Sequence, residues 1–275
     1  MTSKPKPTEQ RWALMGDTHN GATTGLTLTP QNATQSALLD RYNDAIAWFG
    51  PPPDVVLLNG DGIDGADRKS GDTITSRMHE QARDCAKCLM KWNATREYII
   101  VGGTGYHTEE NGQELDRMIA GYLEELLREA RDVNVKVTYH HKLNTTINQW
   151  FRLQSRHKIG RSAVPHGRAT GPMRSKMWGV LNSALTSARN GKPAHWPHLL
   201  CFSHVHYWVE QKDDFGAVIV LPCWQAHGSK YGDKEMDGHV TLGCSRLTVG
   251  AKEDDGWSLD TRRYLPAVVS RVEHR

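Results

Sequence analysis

Short apolar runs alternate with longer segments of helical spacing along this chain, and several of the runs end directly in residues that can bind metal ions. Such runs are typical of strands buried on both faces of a sheet, and they occupy residues 12–15, 54–58, 97–101 and 198–202. Apolar spacings of three and four predict helices over residues 34–49, 74–92, 113–131 and 173–190. Strands that alternate with helices predict an α/β fold.

The second half of the chain carries additional strand signal, over residues 133–138, 145–147, 150–153, 217–221 and 240–249. We find no internal repeat and no low-complexity linker. The sequence therefore predicts a single domain over residues 12–275, preceded by a flexible N-terminal segment of residues 1–11.

The composition is that of an ordinary globular protein, with 38% hydrophobic and 24% charged residues among 275. A net charge of +3 is too small to indicate a protein dedicated to coating nucleic acid. No apolar run is long enough to cross a bilayer, and residues 1–11 are polar without an apolar signal core. We expect a cytoplasmic protein with no membrane partner.

The five cysteines lack the regular spacing of a disulfide framework. Cys85 and Cys88 form a C-x-x-C pair, which can indicate zinc or redox chemistry. They lie within a predicted helix, however, and no second pair exists to complete a tetrahedral site. Buried thiols on one helix face are the favoured interpretation.

Five islands of metal-ligand residues follow the apolar runs: Asp17-Thr18-His19, Gly60-Asp61 with Asp64, Gly103-Thr104 through His107, His157, and His204-Val205-His206. Aspartate supplies a hard oxygen ligand and histidine a neutral nitrogen. Each island alone has an ordinary explanation, such as a helix cap, a turn or a satisfied core histidine. Because all of them stand at predicted strand ends, which one edge of a sheet can bring together, the set predicts a site for two metal ions.

The order Asp-x-His, Gly-Asp-x-x-Asp, Gly-x-x-x-His, a lone His and His-x-His resembles the calcineurin-like metallophosphoesterase superfamily, over about Trp12 to Trp224. The resemblance implies a four-layer α-β-β-α sandwich and a dinuclear metal centre. It places Asp17, His19 and His206 on the first ion and His157 and His204 on the second, with Asp61 bridging both. His107 takes the place of the catalytic histidine beside the leaving-group oxygen. For the lone histidine, His157 is favoured over His166 because it follows a strand-like segment.

Two departures from the family pattern affect the second ion and the last motif. Thr104 stands where the family has an asparagine ligand, and a hydroxyl is a poorer ligand than an amide carbonyl. The pattern Gly-Thr-x-x-His resembles a variant found among phage-type and prophage-type members. Ser203 replaces the glycine that precedes His-x-His, which is a small change. Asp64 is expected to orient a ligand rather than to bind metal itself.

The implied activity is hydrolysis of a phosphomonoester or phosphodiester by a hydroxide that bridges two divalent ions, with Mn²⁺, Fe or Zn²⁺ suited to the ligand set. The alternative is a degenerate member that keeps the fold as a binding scaffold without turnover. The substrate stays open between a nucleic acid, a nucleotide and another small phosphoester.

Two basic segments bear on the substrate. The first, from His157 to Lys176, carries Lys158, Arg161, Arg168 and Arg174, with Trp178 just beyond, and could serve a nuclease. The second contains Arg68 and Lys69, which could meet a phosphate. A solvated charged loop is the simpler interpretation of both.

Overall fold

The computed structural model describes residues 8–65, 73–105, 109–110, 113–130, 134–162, 164–227 and 240–264. Within these ranges the helices are α1 (Ala33–Phe49), α2 (Met78–Met90), α3 (Asp116–Glu129) and α4 (Thr170–Asn190). The strands are β1 (Gln10–Met15), β2 (Val55–Asn59), β3 (Glu97–Val101), β4 (Glu109–Glu110), β5 (Gln113–Glu114), β6 (Lys136–His140), β7 (Leu143–Ile147), β8 (Phe151–Ser155), β9 (Leu199–Phe202), β10 (Val209–Asp213), β11 (Gly216–Val220), β12 (Leu242–Val249) and β13 (Trp257–Tyr264).

Two large sheets organise these strands. The first has the order β13-β12-β1-β2-β3-β6, and the second has the order β10-β11-β9-β8-β7. Strands β1, β2, β3 and β6 run parallel to one another, as do β8, β9 and β11 in the second sheet. The parallel strands of each sheet therefore end at one edge, which is where the loops of an α/β sheet usually build a site.

The apolar runs bury both of their faces, because each sheet lies between two layers. Leu57 of β2 and Leu153 of β8 belong to the core between the sheets. The alternate residue Leu58 packs with Leu38 of α1 and Leu123 of α3 in the core outside the first sheet. On the other side, α4 covers the second sheet in a smaller core that contains Phe202, Val220 and, at its border, Met173. The predicted four-layer α-β-β-α arrangement is confirmed.

Several element boundaries differ from the predicted ones. The first strand begins at Gln10, so Gln10 and Arg11 belong to the sheet and not to a flexible segment. The predicted helix 113–131 begins only at Asp116, because Gln113–Glu114 pairs with Glu109–Glu110. Strands β10 and β13 were not predicted, since β10 is mostly exposed and β13 alternates half-buried with exposed residues.

The cysteines agree with a further expectation. Cys85 and Cys88 are buried free thiols on α2, and burial raises their pKa well above the usual range. No helix in the described part of the chain combines the length and apolar character that crossing a membrane requires.

Candidate metal centre

The loops that follow four parallel strands meet where the carboxyl edges of the two sheets adjoin. Asp17 and His19 follow β1, and Asp61 follows β2 in the first sheet. In the second sheet, His157 follows β8, and His204 and His206 follow β9. Their side chains form two groups, Asp17 with His19 and His206, and Asp61 with His157 and His204. Within each group the possible ligand atoms all lie within 4.8 Å of one another.

In the first group, two histidine nitrogens face each other. His19 Nε2 lies 3.2 Å from His206 Nε2, and His206 Nε2 lies 3.5 Å from Asp17 Oδ1. His19 Nδ1 lies 3.2 Å from Asp64 Oδ1, to which it can donate its proton. The neutral imidazole then presents its Nε2 lone pair toward His206 and Asp17, as a metal ligand would. Asp64 thus lies where it can orient His19.

In the second group, the tautomer of His157 is fixed by the backbone. His157 Nδ1 lies 2.7 Å from the carbonyl oxygen of Asn59, which can only accept a hydrogen bond. In the neutral ring Nε2 therefore carries the lone pair, and it lies 2.9 Å from Asp61 Oδ2.

The two groups are adjacent, and Asp17 lies between them. Its Oδ1 is 3.5 Å from His206 Nε2 in the first group and 3.8 Å from His157 Nε2 in the second. Asp17 also accepts hydrogen bonds from the backbone N–H of His204, at 3.2 and 3.0 Å. The bridging role expected for Asp61 stays a prediction, and Asp17 is a second carboxylate in position to share both sites.

The backbone at these residues is in a conformation that non-glycine residues rarely adopt. Five of the six candidate ligands have positive φ: Asp17 (51°), His19 (44°), Asp61 (49°), His204 (79°) and His206 (54°). Each such residue costs of order 1–3 kcal/mol and persists where the surroundings enforce it, most often at functional sites. Five of the eight described non-glycine residues with positive φ belong to this set, so the backbone marks it independently of the side chains.

Burial and charge at the centre suit a cation. Burial alone would lower the pKa of His157, but the carboxylates of Asp61 and Asp17 raise it to about 10. Burial, helped by the charge of His157, lowers the pKa of His204 to about 4. The negative charges of two carboxylates therefore stabilise a proton on His157. A divalent cation can replace such a proton, so these residues fit the metal ions that the sequence implies.

Thr104, which follows β3, contacts two of the three members of the second group. Its backbone N–H donates to Asp61 Oδ1 at 2.6 Å, and its hydroxyl donates to Asp61 Oδ2 at 3.0 Å. The same hydroxyl oxygen lies 3.1 Å from His204 Nδ1, from which it can accept a hydrogen bond. Thr104 can thus orient two ligands without being one. The short side chain at the family's asparagine position has a physical explanation in these contacts.

Asp116 is a site residue that the sequence analysis missed. It is fully buried at the start of α3, and its carboxylate accepts hydrogen bonds from Gly62 N–H (3.1 Å) and Gly103 N–H (2.8 Å). It thereby joins the loops after β2 and β3. Burial, together with the charge of Asp61, raises the pKa of Asp116 to about 7. The available signal was its helical position, which shares a buried face with Ile119 and Leu123.

Asn59, at the end of β2, connects the two sheets beside the centre. Its side chain donates to Ser203 Oγ at 3.0 Å and accepts from Ser155 Oγ at 2.8 Å. Ser203 also leaves space only for glycine at position 16, because a Cβ on Gly16 would lie 2.4 Å from Ser203 Oγ. Similarly, a Cβ on Gly103 would lie 2.1 Å from Asp61 Oδ1. The serine that replaces the family's glycine is therefore part of a hydrogen-bonded contact between the sheets.

Other candidates lie apart from the two groups or outside the described residues. His166 is exposed in a short 3₁₀ turn, Pro165–Gly167, and belongs to neither group. His107, Arg68 and Lys69 lie outside the described residues. Lys176 is buried, and its ammonium group contacts Asp213, so it does not contribute to an exposed basic surface.

Comparisons with known proteins find likeness in three dimensions only. No family model matches the chain, and no curated protein matches it. Solved structures that resemble it include Vps29 from Entamoeba histolytica complexed with Zn²⁺ (14% identity, 92% of this chain and 98% of that one, TM-score 0.42). A second is an archaeal phosphodiesterase (13%, 92% and 99%, 0.42), and a third is Vps29 from Cryptosporidium parvum (12%, 94% and 98%, 0.44).

The fold of this chain is similar to theirs over more than nine tenths of its length. At such identities and scores, a shared activity does not follow from the likeness.

Proposed function

We propose that this protein is a metal-dependent phosphoesterase whose centre holds two divalent cations. The observation that carries the proposal is the convergence of six side chains of metal-ligand type into two adjacent groups at the common edge of the sheets. His19 Nε2 faces His206 Nε2 at 3.2 Å, and His157 Nε2 faces Asp61 Oδ2 at 2.9 Å. Two adjacent groups of mixed nitrogen and oxygen ligands are the donor set of dinuclear hydrolytic centres.

The chain's own residues would hold and orient the reacting groups. Asp17, His19 and His206 form one cation site, and Asp61, His157 and His204 form the other. When bound, the two cations supply Lewis acidity toward phosphoryl oxygens and lower the pKa of water. Asp64 and the Asn59 carbonyl fix the orientation of His19 and His157.

Access to the centre is from the side of the His-x-His loop. Asp17, Asp61 and His157 are almost completely buried, whereas His204 and His206 are half-buried. A phosphoester would therefore approach over His204 and His206. We assign to His107 the role of donating a proton to the leaving-group oxygen, as the family resemblance implies. It lies three residues after Thr104, which is at the centre.

Hydrolysis of bis(4-nitrophenyl) phosphate in the presence of Mn²⁺, Zn²⁺ or Fe²⁺ tests the proposal. We expect turnover that falls at least about a hundredfold in Asp61→Asn, which keeps the shape of the side chain but removes its charge. Glu124→Gln removes a charge from an exposed position on α3 and should act like the wild type. If none of the metals makes the wild type faster than Asp61→Asn, the enzyme proposal fails. The alternative, a binding scaffold without turnover, would then be favoured.

A further inference from the structure

Charge is distributed very unevenly along this chain. Residues 133–209 contain eleven Lys and Arg and no Asp or Glu, whereas the rest of the chain has 23 basic and 31 acidic residues. A net charge of +3 thus hides a stretch of +11 and a remainder of −8. The basic stretch contains His157, His204 and His206 of the candidate metal centre. Such an imbalance favours an anionic partner at this part of the surface.

The loop between β8 and α4 carries part of this charge and lies against the His-x-His loop. The backbone N–H of Ser162 donates to the hydroxyl of Tyr207 at 3.2 Å. The guanidinium group of Arg168 lies over the Tyr207 ring, 4.8 Å from its centre. Since Tyr207 directly follows His206, this loop lies beside the side from which the centre is accessible.

Several basic side chains of this region reach solvent. Lys158, Arg161 and Arg174 are exposed. Arg168 is half-buried, its Nε has no hydrogen-bond partner among the described residues, and no carboxylate there pairs with it. A phosphate has the geometry that an arginine fork binds best. The loop against Tyr207 and the first turns of α4 thus present cationic groups to solvent.

An exposed aromatic residue continues this surface on α4. Trp178 is 58% exposed and lies four residues after Arg174, on the same side of the helix. An exposed tryptophan beside basic side chains is the combination on which single-stranded nucleic acids stack and bind.

The apolar stripe farther along α4, with Leu181 and Leu185, would also suit a membrane surface. Between Trp178 and Asn190, however, α4 has Arg189 as its one charged residue. The positive charge is thus concentrated near the centre and not along the stripe, which favours a nucleic acid over a membrane.

We propose that the surface formed by Lys158, Arg161, Arg168, Arg174 and Trp178 binds a single-stranded nucleic acid and leads its backbone toward the metal centre. This inference rests on the proposed phosphoesterase function for the fate of the strand, but the binding itself needs no turnover. Phosphates on one side of the bond to be cleaved would contact the basic side chains, and a base would stack on Trp178.

Binding of a fluorescein-labelled 20-nucleotide single strand, measured by anisotropy with EDTA to prevent hydrolysis, tests this surface. Against the wild type, Lys158→Ala/Arg161→Ala/Arg174→Ala should weaken binding at least about tenfold in low salt. It should also reduce the slope of log K against log salt by about 2, at roughly 0.7 per phosphate contact. Lys87→Ala/Lys91→Ala/Arg128→Ala removes the same charge from exposed positions on α3 and on or next to α2, and should bind like the wild type.

A second pair of variants tests the aromatic contact. Trp178→Ala should weaken binding about tenfold, whereas Leu185→Ala, an exposed apolar residue farther along α4, should not. Circular dichroism melting of every variant checks that the fold is kept. Equal losses in the two triple variants would overturn the proposed surface, and so would stronger binding to phosphatidylserine vesicles than to the strand.

Hydrolysis of bis(4-nitrophenyl) phosphate by the wild type separates this inference from the proposed function. Turnover of the small ester without binding of the strand would overturn the nucleic-acid surface and leave the phosphoesterase. Binding of the strand with no turnover of any ester would retain the surface and overturn the phosphoesterase.

Discussion

Asp116 joins two loops at the second candidate cation site, one with the candidate ligand Asp61 and one with Thr104. Its carboxylate accepts from Gly62, next to Asp61, and from Gly103, next to Thr104. Both donors are backbone N–H groups in a buried region, where a lost partner is costly. The position of Asp61 therefore depends on a residue on a different element that is not itself a ligand.

Asp116→Asn should lower both stability and metal affinity. The amide keeps one acceptor but turns its NH₂ group toward the other N–H, which leaves that donor unsatisfied. We expect a loss of about 1–3 kcal/mol in the free energy of unfolding and a metal affinity weaker by about 10–100-fold. Chemical denaturation and Mn²⁺ titration measure the two effects, with Glu124→Gln as the control. An unchanged metal affinity would show that Asp116 is structural only.

The hydroxyl of Thr104 can be tested by two substitutions of similar size. Thr104→Val keeps the shape but cannot donate to Asp61 or accept from His204, whereas Thr104→Ser keeps the hydroxyl. We expect Thr104→Val to weaken binding of the second Mn²⁺ by about tenfold or more and Thr104→Ser to stay close to the wild type. Calorimetric titration resolves the two binding events. Similar behaviour of the two variants would contradict an orienting role for the hydroxyl.

Most of the candidate ligand residues could be predicted from the sequence because they follow strands that are apolar on both faces, whereas His157 follows β8, which alternates buried and half-buried residues. A strand such as β2 ends abruptly at Asn59-Gly60-Asp61, and the change from apolar to polar residues is visible without any structure. Asp116 could not be found in this way. It begins a helix in a polar segment, and only its place on the buried face, with Ile119, distinguishes it.

At the level of elements, α4 is anchored to the second sheet by an ion pair near its start. Lys176 is 2% exposed, and its ammonium group contacts the carboxylate of Asp213 and the carbonyl oxygen of Gly216. From Met177 onward the helix has no buried residue. The sequence shows the helix but not this anchor, because Asp213 lies 37 residues after Lys176, beyond β9 and at the end of β10.

The two partners of this ion pair should differ in their effects on stability. Asp213→Ala leaves a buried ammonium group without its counter-ion and should cost about 3 kcal/mol. Lys176→Met leaves a carboxylate whose side chain is 34% exposed and can be rehydrated, so about 1 kcal/mol is expected. Denaturant unfolding of both variants measures the difference. A larger loss of unfolding free energy in Lys176→Met than in Asp213→Ala would contradict the claim that the buried ammonium group is the costlier one to leave unpaired.

The pair also has a predicted pH dependence. Burial alone would raise the pKa of Asp213, but the hydrogen bonds from Lys176 and from the Phe215 N–H lower it. A carboxyl group whose pKa is lowered by folding stabilises the folded protein at pH values above its ordinary pKa. That contribution is lost as the pH falls through the pKa of the folded state. The stability difference between the wild type and Asp213→Asn should therefore be constant above about pH 5 and shrink below about pH 4.

At the scale of the whole molecule, the candidate centre joins the two sheets. Each group takes ligands from both sheets, as Asp17 and His206 do in the first and Asp61 and His157 in the second. The sheets also meet through an apolar core and through hydrogen bonds such as those of Asn59. Cations bound at their common edge would act as cross-links present only in the folded state.

Metal ions should therefore raise the melting temperature. A cation at a hundred times its dissociation constant adds about 2.7 kcal/mol per site, and a chain of this size gains about 2–4 °C per kcal/mol. We expect a rise of about 5–20 °C between EDTA and saturating Mn²⁺, with a smaller rise in His19→Ala or His157→Ala. Differential scanning calorimetry measures it. A melting temperature that does not respond to metal would argue against the cross-link.

Metal stoichiometry tests the central claim most directly. After loading with Mn²⁺ and removal of free metal, elemental analysis should find about two equivalents in the wild type. His19→Ala, in the first group, and His157→Ala, in the second, should each retain about one, and the double variant should retain none. A wild type that holds no metal, or variants that hold as much as the wild type, would contradict the assignment of two cation sites to these residues.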